Sequence, residues 1–297
     1  MTLNQQPSVW IWPRTQMTES SPNGYGFVED FFNQYYSPFK TLYFSRGRVA
    51  ITAILEAIGA SRNDLVFIQP FSSYCVQSAV SRVATPLTIH PEESKYQIVY
   101  HNFGKKALAD ETKFRNVVIE DSVDSIITCN DEAELFPNGG DYAVFSLAKL
   151  FHVPFGSIVV CRTTDACERL KHTPFRQLTA SGGGTLTGVP VYADAILANN
   201  PTMISSALRP ETLGGMFNNT IQRIKQNLVS ISSLLGVDYI NKNRLPSNVF
   251  STDGFPAELY DKYHVEVKER HIYDYELGKC MNVHMFPVHV DIIIENR

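Results

Sequence analysis

No window of this 297-residue chain approaches the ~18 consecutive apolar residues that a membrane-spanning helix needs. The first residues, MTLNQQPSVWIWPRTQ, show no basic segment followed by an apolar one, so nothing there reads as a secretory leader and a cytoplasmic protein is expected. Charge of one sign is scarce as well. The 26 basic and 30 acidic residues leave a formal net charge of -4, with no long run of either sign. That argues against nucleic acid or an anionic membrane surface as a partner, so a charged ligand must be held locally. The five cysteines (Cys75, Cys129, Cys161, Cys167, Cys280) are an odd number with no C-x-x-C pair and no His/Cys spacing that suits zinc. Reduced thiols are expected, with neither a disulfide framework nor a metal site. Internal repeats and low-complexity tracts are absent.

What the chain does have is apolar content for a full-sized core, 44% of its residues. GRVAITAILEAIGA (47–60) and SYCVQSAVSRVA (73–84) carry helical spacing, while DLVFIQP (64–70), QIVYHN (97–102), NVVIED (116–121), YAVFSL (142–147) and GSIVVC (156–161) are apolar runs of strand length. Apolar strands separated by helices predict an α/β fold with a mostly parallel sheet covered on both faces. After TDACERLKHT (164–173), read as helix, SGGGTLTGVP (181–190) reads as a glycine-rich connection. A long amphipathic helix is predicted near 217–236, followed by a smaller strand–helix–strand region over SNVFS, PAELYDKY, HVEVKE and MNVHMFPVHV. This organisation predicts an N-terminal arm (1–19), a large α/β domain (20–205) and a smaller C-terminal α+β domain (206–297).

Open parallel sheets bind ligands beyond the carboxyl ends of their strands, so polar residues there come first. VVIED ends in Glu120 and Asp121; AVFS ends in Ser146, three residues before Lys149; LYFSRGR turns through Gly47 and Arg48 into a helix; FIQPFSSY delivers Tyr74 at a helix start. A glycine at a helix N-terminus suits a phosphate, because free N–H groups and the positive dipole end meet it. A strand-end acid suits a protonated ring nitrogen, an aromatic suits a flat ring, and a partly buried lysine suits a Schiff base. Together they describe a site for pyridoxal 5'-phosphate (PLP).

The ordered series SRGRVAI, DLVFIQPFSSYCVQSAV, VYHNFG, VVIEDSVDS, GDYAVFSLAKLFHVPFGSIVV and MFPVH resembles the DegT/StrS-type sugar aminotransferases, which are fold-type-I PLP enzymes of the aspartate aminotransferase superfamily. The resemblance implies that Lys149 forms the internal aldimine, that Asp121 faces the pyridinium nitrogen, and that Tyr74 stacks on the ring. It also implies that Gly47, Arg48 and Ser146 hold the phosphate and that Asp124 faces the cofactor hydroxyl. The activity it implies is transfer of an amino group, with glutamate as donor, to a keto sugar linked to a nucleotide, in a homodimer serving polysaccharide or glycosylated-metabolite synthesis.

Two positions depart from that family. Asp124 stands where His or Gln is usual, and Gly156-Ser157 replaces a Gly-Gly pair; the second half of the chain is also short. Each candidate has a plain structural use too. Lys149 could snorkel from a strand corner, Asp121 could cap a turn, and Tyr74 could be a packed core ring. His101 and Gly104 are read as shaping a turn, and Lys105 as an alternative lysine. A PLP enzyme for a non-sugar ketone, and a degenerate member acting as a binding or scaffold subunit, stay open as alternatives.

Overall fold

The computed structural model describes residues 26–44, 46–70, 72–107, 116–151, 156–173, 210–235, 243–251, 253–257, 268–274 and 279–288. The glycine-rich 181–190 stretch, the N-terminal arm, the 205/206 domain boundary and most of PAELYDKY lie outside the described residues.

A seven-stranded sheet organises the chain, and its spatial order differs from its sequence order. From one edge it runs β1 (Lys40–Phe44), β8 (Ser157–Cys161), β7 (Tyr142–Ser146), β5 (Val117–Asp121), β4 (Tyr96–Tyr100), β2 (Leu65–Ile68) and β3 (Thr85–Leu87). The pairs β7·β5, β5·β4, β4·β2 and β2·β3 are parallel. β8 alone runs against the rest, antiparallel to both β7 and β1. The sheet is therefore mostly parallel, as the sequence predicts. Every residue of β7 and β8 is buried, which is why both read as continuous apolar runs rather than alternating ones.

Alternate residues along these strands feed two core layers, as the two-residue strand period requires. Val144 and Val159 point with Leu42 and Phe44 to one layer, under α2 (Gly47–Ala57). Ala143, Phe145, Ile158 and Val160 point to the other, against α1 (Gly26–Tyr35) and a long helix that we label α7 (Pro210–Leu235). Leu213, Phe217, Ile221, Ile224, Leu228 and Ile231 recur every three or four residues along α7, and all are buried. That is the stripe of an amphipathic helix laid on a sheet. α2 is buried almost all round, Val49 to Leu55 without a break; the single hydroxyl proton of Thr52 is shared between the Arg48 and Ala79 carbonyls, 3.0 and 3.2 Å away.

The shorter helices are α3 (Tyr74–Val80), α4 (Glu132–Leu135), α5 (Leu147–Leu150) and α6 (Thr164–Lys171). α3 begins on a Ser73 side chain that accepts from the Cys75 N–H, and α6 on Thr163, which accepts from the Ala166 N–H. A second sheet, β10 (Asn248–Ser251), β12 (Lys279–Pro287) and β11 (Lys268–Asp274), is antiparallel throughout. The two-stranded pair β6 (Ser125–Ile127) and β9 (Arg244–Pro246) ties the segment after α7 to the loop that follows β5. Among the described residues no helix is long and apolar enough to cross a membrane.

Candidate active site

The adjacent parallel strands β5 and β7 end at Asp121 and Ser146, and α2 starts beside them at Gly47. A cavity of about 250 Å³ opens at these ends. Gly47, Arg48, Asp121, Ser146 and Lys149 line it, so five of the seven predicted site residues meet at one opening. Asp124 joins them through Lys149: the Nζ donates to Asp124 Oδ1 at 2.6 Å. Tyr74 does not line this opening. The residue is 79% exposed and stands between Ser73 and Cys75, which do line it.

The carboxylate of Asp121 is 1% exposed and accepts from the Val123 N–H at 3.3 Å. Its loop is fixed from several sides. Ser122 N–H donates to the Val144 carbonyl at 2.9 Å, Ser247 N–H donates to the Asp124 carbonyl at 2.7 Å, and Arg244 Nη1 donates to Ser122 Oγ at 2.8 Å. Arg244 is wholly buried, and that burial pushes its pKa down to about 10. Behind Asp121, on the opposite face of β5, Glu120 is buried with His101. The Ala107 N–H donates to His101 Nδ1 at 3.1 Å, so the ring proton sits on Nε2 and is donated to Glu120 Oε2 at 2.8 Å. Glu120 also accepts from the Asn138 and Gly140 N–H groups at 2.8 and 3.1 Å. A strand end held on both faces has little freedom to turn the Asp121 carboxylate away from the cavity.

Lys149 stands on α5, the single helical turn between the antiparallel strands β7 and β8. Gly156 closes that connection at φ +124, where its carbonyl accepts from the Leu147 N–H at 3.0 Å. Ser157, in place of a second glycine, is buried and donates to the Phe145 carbonyl at 2.7 Å. The Lys149 side chain is 45% exposed, more open than the apolar flanks FSL and LF suggest, whereas Asp124 is 4% exposed.

At α2 the first turn carries no acidic residue and no side chain caps it, so the positive end of the helix is offered to the cavity. A Cβ on Gly47 would lie 3.2 Å from Val123 Cγ1, tighter than an ordinary contact, so any larger residue would press on the loop after β5. Arg46, the N-cap residue, also lines the cavity, as do Ser73 and Cys75; sequence reasoning assigned none of the three, although Arg46 stood in view in SRGR. Arg244 was likewise not singled out. Lys105 is placed elsewhere, with its Nζ 5.9 Å from the Phe250 ring centroid. Arg223 donates to Thr220 Oγ1 along α7 at 3.3 Å.

The donor set fits PLP: an amine, a buried carboxylate and a cationic helix N-terminus face one volume, which is the set that an aldehyde, a ring nitrogen and a phosphate require. Comparison with curated proteins returns no match. Among solved structures, "Putative sugar aminotransferase Spr1654 from Streptococcus pneumoniae, PLP-form" is similar with a TM-score of 0.60 at 14% identity, over 93% of this chain and 88% of that one. The aminotransferase TlmJ from Streptoalloteichus hindustanus gives 0.54 at 15% identity, over 89% and 86%. NtdA from Bacillus subtilis, solved with bound cofactor PMP, gives 0.51 at 14% identity, over 91% and 73%. At these identities they show the fold. The profile of the family described as "Putative PLP-dependent aminotransferase" matches residues 28–178, a span that contains every predicted site residue, and the chain belongs to that family of PLP-dependent aminotransferases.

Proposed function

We propose that this chain transfers an amino group from glutamate to a keto sugar linked to a nucleotide, with Lys149 as the residue joined to the cofactor. The observation that carries the reading is the convergence of Lys149, Asp121 and the N-terminus of α2 on one cavity. The sugar acceptor draws support from the similarity to structures titled as sugar aminotransferases. When bound, PLP supplies the carbonyl that receives the amino group and the electron sink that makes the donor's α-carbon acidic.

The chain's own residues then have separate tasks. Asp121, buried and negative, holds a proton on the ring nitrogen. Gly47, Arg48 and the Ser146 hydroxyl hold the phosphate. Lys149 Nζ, once neutral, is the base that takes the proton from the donor carbon and returns it to the acceptor. Asp124 Oδ1 accepts from that amine at 2.6 Å and fixes its position while the lysine is not engaged. Tyr74 lies exposed beside Ser73 and Cys75 and outside the cavity wall, and its ring would have to turn inward to stack on the cofactor. A homodimer, a cytoplasmic location and the division into an arm and two domains belong to the same proposal.

The purified protein, incubated with PLP, glutamate and a panel of nucleotide-linked keto sugars, should release 2-oxoglutarate in step with loss of one sugar. Amino transfer confined to simple keto acids would replace the sugar reading with the non-sugar one.

A further inference from the structure

The cavity is lined by one more arginine than the phosphate assignment uses. Arg46 and Arg48 flank Gly47 at the start of α2, and both line the same opening. Arg46 is the N-cap, extended at φ -153 and ψ 153, and its carbonyl already accepts from the Val49 and Ala50 N–H groups at 3.0 and 3.1 Å. Its backbone is therefore fixed by the helix, and the residue forms part of the cavity wall. Among the described residues, the lining carries three cationic side chains, Arg46, Arg48 and Lys149, against one carboxylate, Asp121. Lys149 is drawn to Asp124, and Arg46 and Arg48 flank Gly47 at the start of α2.

Burial, and then the charge of Arg48, lower the pKa of Arg46 from its ordinary value. Holding this guanidinium charged thus costs stability, and an anion would offset that cost. A carboxylate brings one negative charge, which a single arginine fork can match. A phosphate monoester, with its second pKa near ~6, brings close to two charges and three acceptor oxygens at neutral pH. Two guanidiniums beside the positive end of a helix match the second anion better than the first.

We infer that Arg46 and Arg48 together clamp one dianionic phosphate monoester, and that Arg46 sets the chain's preference for phosphorylated over unphosphorylated ligand. The inference rests on the reading of this cavity as the cofactor site and adds to it a discriminating residue. The cofactor's phosphate is the monoester it assigns to Arg46.

The test measures the affinities of the full chain for PLP and for pyridoxal by equilibrium dialysis, in the wild type, Arg46→Gln and Arg46→Lys. Loss of one charged hydrogen-bonding group should weaken PLP binding about 10- to 100-fold in Arg46→Gln. Pyridoxal binding should be unchanged, which also shows that the variant is folded, and Arg46→Lys should recover part of the loss. If Arg46→Gln does not fold, Arg46→Lys decides alone: a weaker affinity for PLP with pyridoxal unaffected supports the clamp, and equal affinities contradict it. PLP affinity left intact in Arg46→Gln, with KM for glutamate or affinity for a nucleoside diphosphate worsened instead, would overturn the clamp and move Arg46 to the substrate. A wild type that binds PLP no more tightly than pyridoxal would overturn this inference alone. A wild type that binds neither would overturn the cofactor assignment beneath it.

Discussion

Lys149 and Asp124 carry opposite charges 2.6 Å apart, but the two ends of the pair are not equally protected. Asp124 is 4% exposed and Lys149 45%, so solvent screens the attraction and the pair is worth about 0.2–1 kcal/mol, the range of exposed ion pairs. A bond that weak delays attack of the amine on an aldehyde without preventing it. Asp124→Asn should therefore take up PLP roughly 1.4- to 5-fold faster at pH 7, the factor that such an energy represents. Stopped-flow absorbance follows that step, and an unchanged or slower rate would assign Asp124 to something other than holding the lysine amine in place. The departure at Asp124 was legible in the sequence; its partner was not. An acid three residues after Asp121 suggested a residue facing the cofactor, and the fold shows that the same carboxylate reaches the lysine 25 positions away.

Within the sheet, direction was the property hardest to read. β7 and β8 are buried on both faces, and a strand so placed shows the same apolar run whichever way it points. A signal was nonetheless present: Ser146 and Ser157 are joined by only about ten residues, fewer than the dozen or more that a parallel crossover needs. The pairing of β6 with β9 was invisible because two three-residue strands far apart in sequence leave no periodicity. Arg244, on β9, stands in the polar stretch NKNRLPSN, where an arginine reads as a solvated residue, and gives no hint that it anchors the Asp121 loop through Ser122. The connection that carries Lys149 makes its own prediction. Gly156 sits at φ +124, and a Cβ there would lie 3.1 Å from Leu147 Cβ. Gly156→Ala should lower stability by about 1–3 kcal/mol, the cost of forcing a side chain into such a conformation. Urea unfolding measures it, and an unshifted midpoint would show that the connection is not held in that conformation.

Across the whole molecule, the buried His101–Glu120 pair behind β5 makes stability depend on pH. Burial, and then the charge of Arg244, lower the His101 pKa and keep the ring neutral in the fold. Below about pH 6.5 the unfolded chain binds a proton on this ring that the folded chain does not, so stability falls as pH falls. Glu120 acts in the same direction. Burial alone would raise its pKa, but the bonds from His101, Asn138 and Gly140 outweigh burial and lower it, so the stability it contributes when ionised is also lost on acidification. Between pH 7 and 5 the His101 contribution should be up to about 2 kcal/mol, and His101→Gln should flatten that part of the profile. A slope identical to wild type would contradict a neutral buried ring. The placement of one lysine against one cofactor is tested most directly by the visible spectrum of the PLP-treated protein, then borohydride reduction and peptide mapping. A yellow band that bleaches on reduction, with the pyridoxyl adduct on Lys149 and on no other lysine, is the result expected. A colourless protein, or an adduct on Lys105 or another lysine, would contradict it.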